Sequence, residues 1–454
     1  MPPTAATGRT RELVDSIRTA MDEHLAGLGL SGATGLQSTK EAVRQSHAAQ
    51  RQETLAREKP ALQARWRELM SWFASGSDVN PSTVAPALVQ VSSGDETSLV
   101  FRLATLLWSV PVSRGYGRRM RYLVVDESNG HLIGVLALGD PVFNLRVRDT
   151  HIGWTVDERR DRLVNILDAF VVGAVPPYTQ LMGGKLVASL LASREVSSDF
   201  DRRYGESVGI ISGKAKTARL ALVTVTSALG RSSIYNRLRL PGRVELQSVG
   251  LTEGWGHFHV PEAVFADMRR LLELEGHPYA SGHQYGTGPN WRLRVIRASL
   301  IRVGLDPALL RHGIAREVFV MPLAQNWRRY LKAIDDRAVI DRPSARDIGL
   351  AARTRWIEPR AARTPEALRW SRDDLAGDFE SMFASPEQGS GEQVAATIDA
   401  TAELSQNPSP NSPTVQGPSP LHAELIPEEP MGPGATGSSL PEVAWIPRIG
   451  TSTG

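Results

Sequence analysis

The chain has 454 residues and no cysteine, which excludes disulfides, thiolate metal ligands and a cysteine nucleophile together. A hydrophobic share of 41% against 22% charged residues is that of a globular protein with a sizeable core. No apolar run reaches the ~20 residues that cross a bilayer, and the opening MPPTAATGRTRELVD lacks the apolar core of a signal peptide; a cytoplasmic protein with no membrane partner is expected. The net charge of +3 hides an asymmetry, because residues 101–340 carry 33 Lys/Arg against 22 Asp/Glu (+11) and residues 371–454 carry 2 against 12 (−10). Such a core attracts phosphate polyanions, and such a tail competes for the same surface or keeps the protein soluble. A solvated arginine-rich surface has the same composition.

Residues 10–75 read as helical in two stretches with a Gly-rich break between them; large apolar residues gather only at Leu62, Trp66, Leu69, Met70 and Phe73, so residues 1–97 form a helical arm or module. From residue 98 the chain becomes denser in apolar residues. Residues 120–125 and 132–138 are strands joined by DESNGH, in which Asn129-Gly130 is a hairpin turn. HIGW, 151–154, reads as a short strand and DERRDRLVNILDAF, 157–170, as a helix. Residues 169–175 form a β-branched strand stopped by Pro176-Pro177, and a helix begins at or just after Gly183-Gly184. That turn is either a cradle for a phosphate, since first-turn amides are unpaired, or simply a tight corner. A strand over 218–228, a short helix over 231–239 and a strand over 243–250 complete the core, 98–255. Residues 256–340 are a basic helical extension, 341–384 a weakly patterned connector, and 385–454, rich in Pro, Ser, Gly and Glu, a disordered acidic tail. No internal repeat is visible.

The order hairpin, helix, strand, glycine turn, helix, strand, short helix, strand resembles the N-acetyltransferase fold. The resemblance implies an α/β core with an acetyltransferase-like mixed, mostly antiparallel sheet flanked by helices. It also implies acetyl-CoA or another acyl-CoA as cofactor, held at Gln180, Gly183, Gly184 and Lys185, and Tyr235 as the proton donor to the departing thiolate. Lys185 stands where that family has a small residue. Over about residues 98–335 the blocks SVPVSRGYGRRMRYLVVDE, LIGVLALGDPVFNLRVRDTHIGW, GAVPPYTQLMGGKLVASLLAS, SALGRSSIYNR and GPNWRLRVIR look like the DruA family of the Druantia anti-phage defence system. This implies a bacterial protein working beside nucleic acid and other defence-system proteins.

The remaining constellations are read from the residues. Arg118, Arg119 and Arg121 in GYGRRMR can clamp phosphates with Tyr116 stacking on a base, or only solvate a strand edge. Arg231 and Arg237, and Arg292, Arg294 and Arg297 after a glycine-rich helix start, join them as expected nucleic-acid contacts, DNA before RNA. Asp149 and His151, two apart, would share a strand face as a base and its orienting partner, or pair with arginines. His257 and His259 form an HxH pair that would need ligands from elsewhere, such as His277 or His283, and no metal is expected. Ser232 and Ser233 lack a His-Asp pair at recognisable spacing and suit capping. Two functions follow: an anti-phage defence component that binds nucleic acid without catalysis, or an acyltransferase acting on a nucleobase or protein amine.

Overall fold

In a computed structural model the described residues are 3–27, 40–112, 117–208, 215–242, 244–256, 260–281 and 289–384. The fold is built on one mixed sheet, with strands β1 (Pro86–Gln90), β2 (Arg119–Asp126), β3 (Leu132–Gly139), β4 (Ile166–Ala174), β5 (Leu222–Thr226), β6 (Gln247–Leu251) and β7 (Glu317–Pro322). Their spatial order is β1-β2-β3-β4-β5-β7-β6. Every pair is antiparallel except β4–β5, which run parallel. The hairpin joining β2 to β3 turns at Gly130, whose φ of 78° is one that glycine adopts without strain.

Helices α1 (Pro3–Gly27), α2 (Ala48–Leu62), α3 (Glu96–Thr105), α4 (Arg146–Ile152), α5 (Val156–Arg162), α6 (Gly183–Ser189), α7 (Arg194–Tyr204), α8 (Glu262–Leu274), α9 (Pro289–Arg302), α10 (Ala345–Ala352) and α11 (Arg372–Phe383) are joined by shorter helical turns. The alternation of side chains along β2–β4 sends two apolar sets to opposite faces. Met120, Tyr122, Leu136, Leu138 and Leu167 pack with α6, α7 and α10, whereas Leu123, Val135, Ala137 and Val171 pack with α3, Trp66, Phe73 and α11. A separate core joins Ile17 and Met21 of α1 to Phe265 and Met268 of α8 and to Trp291, Val295 and Ile296 of α9.

Several local readings are corrected. HIGW is no strand: His151 and Ile152 end α4, and Gly153 closes it in the left-handed region at φ 83°. The helix expected over 157–170 stops at Arg162, because Ile166 already pairs with Leu222 and begins β4. Residues 231–238 form turns without a helix, and Arg239 begins a two-residue strand, Arg239–Leu240, paired with Val244–Glu245. The N-terminal stretch is divided between two cores, α1 joining α8 and α9 while Leu62 and Trp66 join the sheet. Residues 341–384 supply Ile348, Trp356, Ile357, Leu375 and Phe379 to the main cores. Tyr116, His257, His259, His283 and the tail from 385 onward lie outside the described residues.

Candidate functional site

β4 and β5 pair over three positions, Ile166 with Leu222, Leu167 with Val223 and Asp168 with Thr224. Beyond Asp168 the two strands continue without pairing, β4 to Ala174 and β5 to Thr226, so the sheet divides at this point. Period-2 alternation puts Asp168 and Thr224 on one face, and the Thr224 hydroxyl donates to Asp168 Oδ1 at 2.6 Å. Burial pushes the Asp168 carboxyl up to about 6, against the opposing pull of the Thr224 bond and of the Arg148 charge. Asp168 nevertheless keeps some solvent access. Near neutral pH it can therefore take up or release a proton. Tyr235 packs edge-on against Phe319 of β7 with ring centroids 5.5 Å apart. Burial and the charge of Asp168 both raise its phenol above the usual range, which keeps it protonated as a donor.

Arg148, fully buried, closes this region from the α4 side. Its guanidinium donates to Asp149 Oδ1 (2.8 Å) and to the carbonyls of Val142 and Phe143 (2.9 Å each). Asp149 also accepts from Arg159 at 3.0 Å. His151 instead stacks on Trp327 at 5.8 Å, with Nε2 3.2 Å from Arg328 Nη2; burial and that neighbouring charge lower its pKa. The expected Asp149–His151 dyad is thus corrected. On a helix, residues two apart point about 200° away from one another, and the two side chains serve different arginines.

The glycine turn is tightly internal. The Gly183 amide donates to Tyr178 O at 2.7 Å and the Lys185 amide to Met182 O at 3.0 Å, so of the three amides that of Gly184 alone has no such backbone bond among the described residues. The left-handed residue is Met182, φ 64°, and neither glycine has a positive φ. A Cβ on Gly183 would lie 2.6 Å from Tyr178 O, whereas one on Gly184 would lie 3.2 Å from the tip of Ile234. Gly183 is therefore required by a close backbone approach, whereas Gly184 faces only the movable end of a side chain. Gln180 is buried with Oε1 unbonded, and its carbonyl accepts from Arg360 at 3.2 Å. Lys185 reaches Asn236 O at 3.2 Å and lies 5.8 Å over the Trp356 ring.

The arginines divide. Arg118, 2% exposed, donates to Asp140 Oδ1 (2.7 Å), Val164 O (2.6 Å) and Ile166 O (3.2 Å) and lies over the Phe200 ring, a structural role that corrects its expected phosphate contact. Arg292 is likewise held, by Glu262 at 2.7 Å and over Phe265 at 4.0 Å. Arg294 lies 5.9 Å over Tyr279, while Arg231, Arg237 and Arg297 are exposed. Arg119 is exposed on β2, and half-buried Arg121 lies 5.8 Å over Phe101. Burial together with the charges of Arg119, Arg203 and Arg102 pushes the Arg121 pKa down. Sequence reading missed Asp168, Thr224, Arg102 and Arg203. The signal for Asp168 was a lone carboxylate inside the run ILDAFVVGA.

No group of three or more His, Asp or Glu able to hold a metal is present among the described residues, and no described helix is long and apolar enough to cross a membrane. Comparison with known proteins matches residues 37–333 to the family described as Druantia protein DruA. A relative named Druantia protein DruA, from Escherichia coli (strain UMEA 4076-1), is 48% identical over 359 residues, 78% of this chain and 89% of the relative. No solved structure matches the chain. Family match and identity agree over most of the length: the chain belongs to the Druantia protein DruA family.

Proposed function

We propose that this protein is an anti-phage defence component that grips the nucleic-acid backbone through a ledge of arginines, Arg119, Arg121 and Arg203 with Arg102 behind them. Family membership supports the defence role, and the +11 core supports a polyanionic partner. The observation that carries the reading is the setting of Arg121, half-buried under the like charges of Arg119, Arg203 and Arg102, of which Arg102 is paired with Glu58 at 2.5 Å. Like charges gathered at a surface are costly in isolation and are relieved when phosphates neutralise them. Guanidinium forks on one strand and two helices suit bidentate phosphate contacts. The test is fluorescence anisotropy with a labelled DNA duplex across a salt series. The affinity is expected to fall linearly on logarithmic axes, and binding that is absent at low salt or indifferent to salt sinks the proposal.

A second reading, acyl transfer on an acetyltransferase-like core, is favoured by one observation: the sheet divides beyond a parallel β4–β5 pair with Asp168, Thr224 and Tyr235 at the division. Bound acyl-CoA would supply an activated acyl group there. Asp168 would take a proton from an attacking amine and Tyr235 would keep one to donate. The glycine turn fits a pyrophosphate poorly, since two of its three amides are already bonded, and for that reason binding is the leading reading. Calorimetric titration with acetyl-CoA tests it; no heat at millimolar ligand with an unchanged melting temperature removes acyl transfer.

A further inference from the structure

Lys185 is bracketed by two other segments of the chain. On one side its ammonium donates to Asn236 O at 3.2 Å, next to exposed Arg237; on the other it lies 5.8 Å from the Trp356 ring, next to exposed Arg355. Three cations from α6, the 232–238 turn and the helical turn Arg353–Ile357 therefore converge. Burial and the charges of Arg355 and Arg237 hold the Lys185 pKa below the usual lysine range, and no carboxylate acts in the other direction. Beside them lies a cavity of about 410 Å³ lined by Leu240, Pro241, Asp347, Leu350, Thr354 and Arg355. The Asp347 carboxylate there is engaged by the Ser344 hydroxyl at 2.6 Å. A volume in the range of small-molecule sites next to converging cations describes a pocket for a compact anion with an organic body.

We propose that Lys185, Arg237 and Arg355, with this cavity, bind the phosphoryl groups of a nucleotide-sized ligand. The site is separate from the arginine ledge on β2, so the failure of one reading leaves the other standing. Two sources carry the same chemistry, a free nucleotide and the phosphorylated end of a strand. The test is calorimetric titration of the full chain with inorganic pyrophosphate, with ADP, and with a short oligonucleotide bearing either a 5′-phosphate or a 5′-hydroxyl, in chloride of matched ionic strength. Pyrophosphate is expected to bind and to raise the melting temperature. Arg355→Ala, Arg237→Asn and Lys185→Met should each weaken it tenfold or more, as loss of a charge-assisted contact does, while the exposed control Arg369→Ala leaves it unchanged. Tighter binding of ADP than of pyrophosphate identifies a free nucleotide; preference for the 5′-phosphate end over both identifies a strand terminus. Absence of heat at millimolar pyrophosphate, a melting shift equal to that of matched chloride, or affinity unchanged in all three variants overturns the proposal.

Discussion

Arg118 and Arg119 are neighbours in the chain and opposites in the structure. Arg118 is sealed between Asp140 and two backbone carbonyls, with aromatic rings beside it, whereas Arg119 stands exposed at the start of β2 with Arg121 two residues on, and Arg203 and Arg102 close by. Both add one unit to the +11 of the core. Only the second is in a position to meet a polyanion. Net charge therefore overstates the binding surface here, because part of it ties loops to strands: Arg118 fastens the β3 end to the chain ahead of β4, and Arg148 fastens α4 to the loop before it. A buried guanidinium is costly unless each donor is bonded, and that is the condition that fixes the backbone around it.

The sharpest way to break this comparison is to truncate both kinds of arginine. Arg118→Ala takes the guanidinium from Asp140, which keeps the Arg118 amide at 3.0 Å, and from two carbonyls, and should cost about 3 to 5 kcal/mol by urea denaturation. If it melts like the wild type, the structural assignment is wrong. The next contrast uses the glycine pair. Gly183→Ala should cost about 1 to 3 kcal/mol, since its Cβ meets a backbone carbonyl that cannot step aside, whereas Gly184→Ala meets only the end of Ile234 and should stay within about 0.5 kcal/mol of wild type.

A third test concerns the buried acid. The Asp168 carboxyl is raised in the folded state, so the folded protein holds a proton that the unfolded chain has released; this stability is full below pH ~4 and is lost as pH rises through about 6. Asp168→Asn should flatten that part of the stability profile, and a profile identical to wild type between those limits removes the assignment. The smallest effect on stability belongs to the ledge. Arg119→Ala, Arg121→Ala and Arg203→Ala should each change it by under about 0.5 kcal/mol, while the triple variant lowers the salt slope of DNA binding by about 2 to 3. A triple variant that keeps the wild-type slope places the phosphates elsewhere.

What the sequence disclosed was what is local. The β2–β3 hairpin followed from Asn129-Gly130 between two apolar runs, and the helix after Gly183 followed from the leucine spacing. HIGW misled because four apolar-looking residues do not distinguish a strand from the end of a short helix; the deciding features were Gly153 as its cap and Asp149 holding two arginines, one of them ten residues away. In the candidate site, Tyr235 was reached through a family resemblance, but its electrostatic neighbour Asp168 lies on another strand. The ledge was half visible: Arg119 and Arg121 could be read, while Arg102 and Arg203 arrive from α3 and α7 through the tertiary fold.

The core that joins α1 to α8 and α9 has a consequence for synthesis. Among the described residues, the apolar face of α1 finds its partners only when the chain beyond Val260 has followed, because Ile17 and Met21 pack against Phe265, Met268 and Val295. With translation running at about 5–20 residues per second, those side chains stay uncovered for seconds while the sheet segments emerge. A nascent chain with such a delay is exposed to chaperones and to other copies of itself, because the contact between α1 and the α8–α9 pair spans about 240 residues of chain.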